Sequence, residues 1–242
     1  MISVCMACYN GSEYIVEQLH SILNQIEAHD EVIIVNDASQ DNSLDIIYSI
    51  NDDRISIINN EKNVGVARSF EIALNEARGQ YIFFSDQDDV WAPNKVKEVV
   101  DIFKSQDCNA VITDAIVFND QRILCSSYFE WRSSGPGLIK NFIKSSFLGC
   151  CMAVDAKMIK ILLPVPSIDL LHDEWCGLAC TVFGKVIFHP VPLVMYRRHA
   201  TTVTTMRRSP IVWILKNRIL RFIAIIIIVT RIAKLKINNI KR

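Results

Sequence analysis

The sequence predicts an α/β protein: a mostly parallel, doubly wound central sheet with helices on both faces, followed by a basic amphipathic helical tail. Three observations point there. Short apolar runs of strand length alternate with stretches of helical periodicity through the first half of the chain. Of the 242 residues 50% are hydrophobic, Gly and Pro number only 8 and 7, and no tract is of low complexity, which describes a folded chain rather than a disordered one. The formal charge of zero conceals a segregation: all 26 acidic residues lie at or before Glu174, together with 13 basic ones. Residues 1–174 therefore carry −13, and residues 175–242 hold only cations, the pattern of a body followed by a tail for an anionic surface.

Residues Ile2–Cys8 (ISVCMAC) form an apolar run that ends at Tyr9-Asn10-Gly11, a strand followed by a turn. Ser12 is placed to cap the next segment, where Tyr14, Ile15, Leu19, Ile22, Leu23 and Ile26 recur at helical spacing. Residues 31–35 (EVIIV) make a second strand that stops at Asn36-Asp37. A short helix over Ser43–Ile50, a strand over 54–58 and a helix over 64–77 come next. A strand over 81–84 leads into Ser85-Asp86-Gln87-Asp88-Asp89, and 93–103 reads as a helix with Pro93 in its first turn. A strand over 110–113 completes a series of βαβ units. The second half is less regular: a strand over 147–154 (FLGCCMAV), a helix over 170–182, and short strands over 186–188 and 193–197. No repeat or long linker intervenes, so 1–115 and 116–208 are expected to be halves of one domain, with 209–242 as the tail.

Eight cysteines are present, and Cys5 and Cys8 have metal-like spacing. No His-rich or Cys-pair partner follows to complete a zinc site, so reduced thiols acting as small hydrophobes are expected. Neither a basic region nor a cleavable apolar segment opens the chain, and no signal peptide is expected.

In open α/β sheets, ligands bind beyond the carboxyl ends of the strands. Three such ends carry Tyr9-Asn10, Asn36-Asp37 and the Asp86/Asp88/Asp89 cluster. Three carboxylates within four residues repel one another unless solvated or neutralised by a cation. Hard oxygen ligands suit Mg²⁺ or Mn²⁺, with substrate phosphates completing the shell. A solvated acidic turn explains such a cluster taken alone; its place beside two other polar strand ends favours the cation. No GxxxxGK[ST] or GxGxxG loop is present, so the metal rather than a backbone cradle is expected to hold a diphosphate. Asp37 has the chemistry to accept N3–H of uracil or thymine, and Tyr9 to stack on the base, although a turn residue and a half-buried aromatic explain each equally well. His172 and His189 read as packing or hydrogen-bonding residues, and Trp91 and Trp175 as parts of an acceptor cleft or of the core.

The segments MACYNGSEYIVEQLHSILNQ, VIIVNDASQDNS, NVGVARSF and YIFFSDQDDVWAPNKV, in that order, resemble the inverting family 2 glycosyltransferases with the Rossmann-like GT-A fold. A weaker resemblance continues through FLGCCMAV, LHDEW and YRRH to about residue 200, and the SDQDDVW and HDEW…YRRH forms look most like bacterial rhamnosyltransferases of surface polysaccharide synthesis. The resemblance implies that Tyr9 and Asp37 bind the donor's pyrimidine, that Arg68 lies near the nucleotide, that Asp86 approaches ribose and metal, and that Asp88 ligates the metal. It further implies Asp173 as general base and His199 as a contact to diphosphate or metal. Three positions depart from the pattern: Asn36 replaces an Asp, Cys8 replaces a Thr, and Ala200-Thr-Thr-Val-Thr-Thr replaces a Ser- or Asn-rich stretch. For Asp173, helix capping is an alternative, and Glu174 is a rival base.

The function expected is transfer of a sugar, rhamnose from dTDP-rhamnose by motif form, from a nucleotide-diphosphate donor to a hydroxyl of a glycan or lipid-linked acceptor. A UDP-hexose donor, a nucleotidyltransferase and a non-catalytic nucleotide-sugar-binding scaffold are the alternatives; the intact acidic triplet and Asp173 speak against the last. No nucleic-acid partner is expected. In the tail, the longest charge-free run is the nine residues 222–230, short of the roughly 20 that span a bilayer. At about 100° per residue, Ile211, Leu215, Ile219, Phe222, Ile226, Val229, Ala233 and Ile237 share a charge-free face, with Lys216, Arg218, Arg221, Arg231, Lys234 and Lys236 on the rest. Such a helix is expected at an anionic membrane surface, placing the protein in the cytoplasm, peripheral on the inner face of the cell membrane. Docking of the helix on its own domain or on a second subunit is the alternative, and the β-branched run 225–229 leaves strand character open.

Overall fold

The computed structural model describes residues 1–199 and 210–240. Strands β1 (Ile2–Cys8), β2 (Glu31–Asn36), β3 (Ile55–Asn59) and β4 (Tyr81–Ser85) pair in parallel, joined through α1 (Ile15–Leu23), α2 (Ser43–Ile50) and α3 (Val66–Glu76). Their continuous apolar runs belong to strands covered on both faces, and every residue of β2 and β4 is buried. Glu31, the charged member of β2, is neutralised by the Arg78 guanidinium at 2.9 Å and the Ser3 hydroxyl at 2.6 Å. Cys5 and Cys8 are both buried within β1, where burial pushes their thiols up.

The second half contributes β5 (Val90–Trp91), α4 (Lys95–Ser105), β6 (Ala110–Asn119), β7 (Arg122–Cys125), α5 (Tyr128–Arg132), α6 (Leu138–Ile143), β8 (Met152–Asp155), α7 (Ile159–Leu162), α8 (His172–Phe183), β9 (Val186–Arg197) and α9 (Ile211–Ile240). The sheet runs β3-β2-β1-β4-β8-β6-β9-β5, with β7 beside β6. The expected parallel character holds only for the first four strands and the β6–β9 pair. β8 runs antiparallel to both β4 and β6, and β5 antiparallel to β9. This half lacks the strand–helix–strand repeat that enforces parallel pairing.

Several boundaries differ for physical reasons. Ser12 does not cap α1: the Gly11 carbonyl accepts from Tyr14 and Ile15, while the Ser12 amide bonds Asp41. α4 starts after Pro93, because Asn94 adopts a left-handed conformation at φ 72°. The apolar stretch 147–154 is a strand only from Met152 on; a buried 3₁₀ turn, Gly149–Cys151, precedes β8, a distinction periodicity does not make. β6 runs on past Thr113 because Asp114, buried there, is satisfied by the amides of Ala115 and Phe129. The two expected short strands are one strand, β9, whose register shifts opposite Thr113–Ala115 where Pro190 and Pro192 interrupt the ladder.

α9 is helical over all 30 residues, which removes the strand alternative. It packs on α6, α7 and α8 through Asn217, Arg221, Ala224 and Ile228. Arg221 forks onto the Glu174 carboxylate at 2.7 and 3.0 Å, and Arg231 donates to the carbonyls of Ile161 and Pro164 while lying 5.0 Å over the Trp175 ring. The docking alternative thus describes one side of the helix. On the other side Ile211, Leu215, Ile219, Phe222, Ile226, Val229 and Ile237 are exposed. No described helix is long and apolar enough to cross a membrane. The departure at 200–205 and residue 209, where the tail was expected to begin, lie outside the described residues.

Candidate active site

Parallel pairing brings the first strands to a common edge: Cys8 is opposite Asn36, and Met6 opposite Ser85. Strand order reverses at β1, with β2 on one side and β4 on the other, so the crevice between their carboxyl ends is the place where such a sheet takes a ligand. The loops there are tied together. The Gln87 amide closes a two-bond ring with the Tyr9 backbone, accepting at 2.7 Å and donating at 3.0 Å. A Cβ on Gly11 would strike this Gln87 side chain at 2.5 Å, so only glycine leaves room for the tie. Tyr9 itself is 45% exposed, its ring free to meet a planar ligand. Asp37 is buried and accepts from Asn60 Nδ2, the Val64 amide and the Gly65 amide, each at 2.8 Å. A carboxylate offers about four lone-pair sites, which leaves Asp37 one for a ligand. Gly65 caps α3, and Arg68, one turn in, is ion-paired to Glu71 at 2.6 Å.

The acidic loop divides by direction. Asp89 is fully buried, and Arg197 donates its amide to one oxygen at 2.9 Å. Burial, with Asp88 and Asp86 beside it, pushes Asp89 well above the usual carboxylate range. Asp86 is half-buried, and burial with neighbouring Asp88 pushes it up to about 7. One ligand atom each from Asp86, Asp89 and Cys150 lies within 4.8 Å of the others. Asp88 instead meets His199, Nε2 to carboxylate at 2.7 Å, and the imidazole lies 5.0 Å from the Tyr14 ring. The sequence grouped Asp86 with Asp88 and His199; the chain places Asp88 with His199 and turns Asp86 toward Asp89. A carboxylate–imidazole pair beside a second carboxylate of raised pKa is a donor set that fits a divalent cation, and the imidazole suits Mn²⁺ better than Mg²⁺.

Internal cations also bear on this cluster. Lys95 is buried behind the loop, donating to the Cys150 carbonyl at 2.7 Å and lying 4.1 Å over the Trp91 ring. Burial lowers its ammonium pKa, and Asp89 and Asp86 counter that. Arg197 is the second: its Nε donates to the Asp88 carbonyl, its terminal nitrogens reach Glu17 at 2.5 Å and Asp120 at 3.2 Å, and Tyr14 and Phe118 cover its plane. Gln18, buried on α1, holds the end of β4 through Ser85 and the Asp86 carbonyl. Sequence reasoning missed Gln18, Gln87, Lys95 and Arg197. All four lie within the segments that carry the family resemblance, Gln18, Gln87 and Lys95 in the first-half motifs and Arg197 in YRRH, but no local period showed what each would hold.

Asp173 opens α8, where burial first, and then Glu174 and Asp86, push its carboxyl up to about 7. A contribution from Asp86 means the two carboxyls share one electrostatic neighbourhood. The Glu174 amide donates to Asp173 at 2.7 Å. Glu174 is withdrawn from rivalry as base, because Arg221 occupies both its oxygens. His172 is buried and stacks 4.2 Å from Phe70, a packing residue that burial holds neutral with its pKa near 4. A Cβ on Gly149 would sit 2.9 Å from the His172 ring and 3.5 Å from Asp173 Cβ, so glycine is required beside the carboxyl. His189 bonds Glu98 at 3.1 Å, and Trp91 and Trp175 are core residues.

Residues 3–159 match the profile described as Glycosyl transferase family 2. The chain belongs to that family. Within this glycosyltransferase family it is similar to an Escherichia coli protein named UDP-Glc:α-D-GlcNAc-diphosphoundecaprenol β-1,3-glucosyltransferase, at 26% identity over 72% of this chain and 66% of that one. An uncharacterized glycosyltransferase of Nostoc sp. is 28% identical over 82% of this chain and 65% of its own. The fold is also that of S. aureus TarS 1–349 in complex with UDP-GlcNAc, with a TM-score of 0.70 at 18% identity, covering 86% of this chain and 61% of TarS. The chain spans between 44% and 66% of the length of the first curated relatives.

Proposed function

We propose that this glycosyltransferase domain transfers a sugar from a pyrimidine nucleoside diphosphate to a hydroxyl of a lipid-linked glycan, with inversion, at the cytoplasmic face of a membrane during cell-surface polysaccharide synthesis. The observation that carries the reading is the gathering of Tyr9, Asp37 and the Asp86–Asp89 loop at the carboxyl ends of β1, β2 and β4, with Gln87 tying the loop to the Tyr9 backbone. Tyr9 would stack on the base, Asp37 would accept from its N3–H, and Arg68 would lie by the nucleotide. Asp88, His199 and Asp86 would hold Mg²⁺ or Mn²⁺, which when bound supplies Lewis-acid stabilisation of the departing diphosphate. Asp173, half-buried at the start of α8, would take the acceptor proton as attack proceeds from the face opposite the leaving group.

The form of SDQDDVW, HDEW and YRRH favours rhamnose from dTDP-rhamnose. A UDP-hexose donor is the second reading, favoured by the donor named for the Escherichia coli relative. We further assign residues 1–208 to the catalytic domain (nucleotide-sugar half to 115, acceptor half to 208) and 209–242 to membrane association, supported by the apolar residues α9 turns outward. The test is release of nucleoside diphosphate from a panel of UDP-, dTDP- and GDP-sugars with membrane-extracted acceptors. Turnover with one donor, lost on chelation with EDTA and restored by Mn²⁺, is expected. Full turnover after exhaustive chelation would reject the metal assignment, and failure with every donor would reject the reading.

A further inference from the structure

Arg132, Lys140 and Lys144 cluster at the end of α5, on α6 and just past its end, away from the acidic loop. Lys144 Nζ lies 2.9 Å from the Arg132 carbonyl, and the Lys140 ammonium would stand 2.7 Å from a Cβ on Gly135. No carboxylate of the described residues pairs with any of the three. Arg132 Nε and the Ser134 hydroxyl are buried without any partner, an arrangement that costs free energy unless a ligand answers it. Burial first, then Arg132 and Lys140 alongside, pushes the Lys144 ammonium down.

The loop carrying these cations is built rather than loose. Asn141, fully buried, donates to the carbonyls of Gly135 and Gly137 at 3.0 Å each and accepts from the Ser146 amide and hydroxyl. Ser133 and Gly137 take positive φ of 54° and 113° to shape it. The loop is also tied to the start of α8. Arg221 grips Glu174, the neighbour of Asp173, and with the same guanidinium donates to the Phe142 and Ile143 carbonyls at 3.2 and 3.4 Å. The Tyr128 phenol, pushed up to about 12 mainly by burial, feels both Arg132 and Asp173. Apolar surface surrounds the cations: Trp131, Ile139 and Ile143 are exposed, and Arg218 of α9, beside its outward apolar face, reaches the Ile143 carbonyl.

We propose that Arg132, Lys140 and Lys144, with the Ser134 hydroxyl, form a binding site for the diphosphate of a prenyl-diphosphate-linked acceptor. Cations without a carboxylate partner, in a loop tied by Asn141, near the start of α8 and flanked by apolar side chains, match a ligand that is doubly anionic at one point and greasy beyond it. The inference rests on the glycosyl-transfer reading and names its acceptor class.

The test measures binding of farnesyl diphosphate to the full chain by calorimetry. It compares wild type with the Arg132→Gln/Lys140→Gln/Lys144→Gln variant and, should that variant fold poorly, with Lys140→Glu alone. Vesicles of phosphatidylglycerol without diphosphate lipid form a second arm, and UDP and dTDP with Mn²⁺ a third. Tenfold or greater weakening toward farnesyl diphosphate, with nucleotide binding unchanged, is expected. Equal affinity in wild type and variant overturns the site. So does loss of vesicle binding with farnesyl diphosphate unaffected, which would give the cations to the lipid surface. Absence of nucleotide binding in the wild type would instead count against the glycosyl-transfer reading and leave the diphosphate result to be judged by the first arm.

Discussion

Asp173 shows what one residue's surroundings can do to its chemistry. Its ordinary carboxyl pKa of 3.8 rises to about 7 because burial, then Glu174 and Asp86, oppose the charged form. A base acts only when deprotonated, so kcat/KM should climb through an acid limb near pH 7 and level off above it. The sign for stability is opposite. With its folded pKa above the unfolded one, Asp173 contributes stability below pH 4 that is lost as pH rises toward 7. Asp173→Asn should lower kcat by about 10²–10⁴-fold with nucleotide affinity retained, and should abolish that limb. Near wild-type turnover in the variant would remove Asp173 from the mechanism. The residue type and its place before Trp175 were legible in LHDEW; the raised pKa was not, because Gly149 and Asp86 arrive from other parts of the chain.

At the scale of elements, α8 and α9 are joined by a buried ion pair. Arg221 and Glu174 are 6% and 9% exposed and 47 residues apart in sequence. Removing one partner of such a pair strands a buried charge, so Arg221→Met should cost about 3–5 kcal/mol in urea denaturation. Arg221→Met/Glu174→Leu should recover much of that loss, since a matched apolar pair replaces two charges. Removing Glu174 also takes a negative neighbour from Asp173, and the double variant's pH limb should move to lower pH. A double variant less stable than the single one would show that the pair is more than mutual compensation. The sequence marked Glu174 as a rival base because adjacency is visible there; its engagement by a distant arginine is not.

Across the whole molecule, the basic tail is both docked and open. Guanidinium groups turn inward because α8 and the 142–164 region offer a carboxylate and unpaired carbonyls, so the apolar stripe is left on the outside. Ile219 and Ile226 are 61% and 48% exposed. Ile219→Glu/Ile226→Glu should therefore change folding stability by about 0.5 kcal/mol or less per site, yet abolish binding to phosphatidylglycerol vesicles in a flotation assay. Undiminished binding would assign the outward face another partner. Point substitution is the sharper probe, because deleting the helix would also strand Glu174.

By itself the sequence determined the parallel half, the acidic turn at the end of β4, the family resemblance and the existence of an apolar face on α9. Each is written in spacing over a few residues, and strand and helix periods read out locally. Tertiary structure alone decided which way the α9 faces point, that Asp88 meets His199 while Asp86 turns to Asp89, and that Arg197 clamps the loop. The bonds of Arg197 to Asp89 and of His199 to Asp88 span 108 and 111 positions, where the partner is selected by how the sheet curls and what each side chain can reach rather than by any local period.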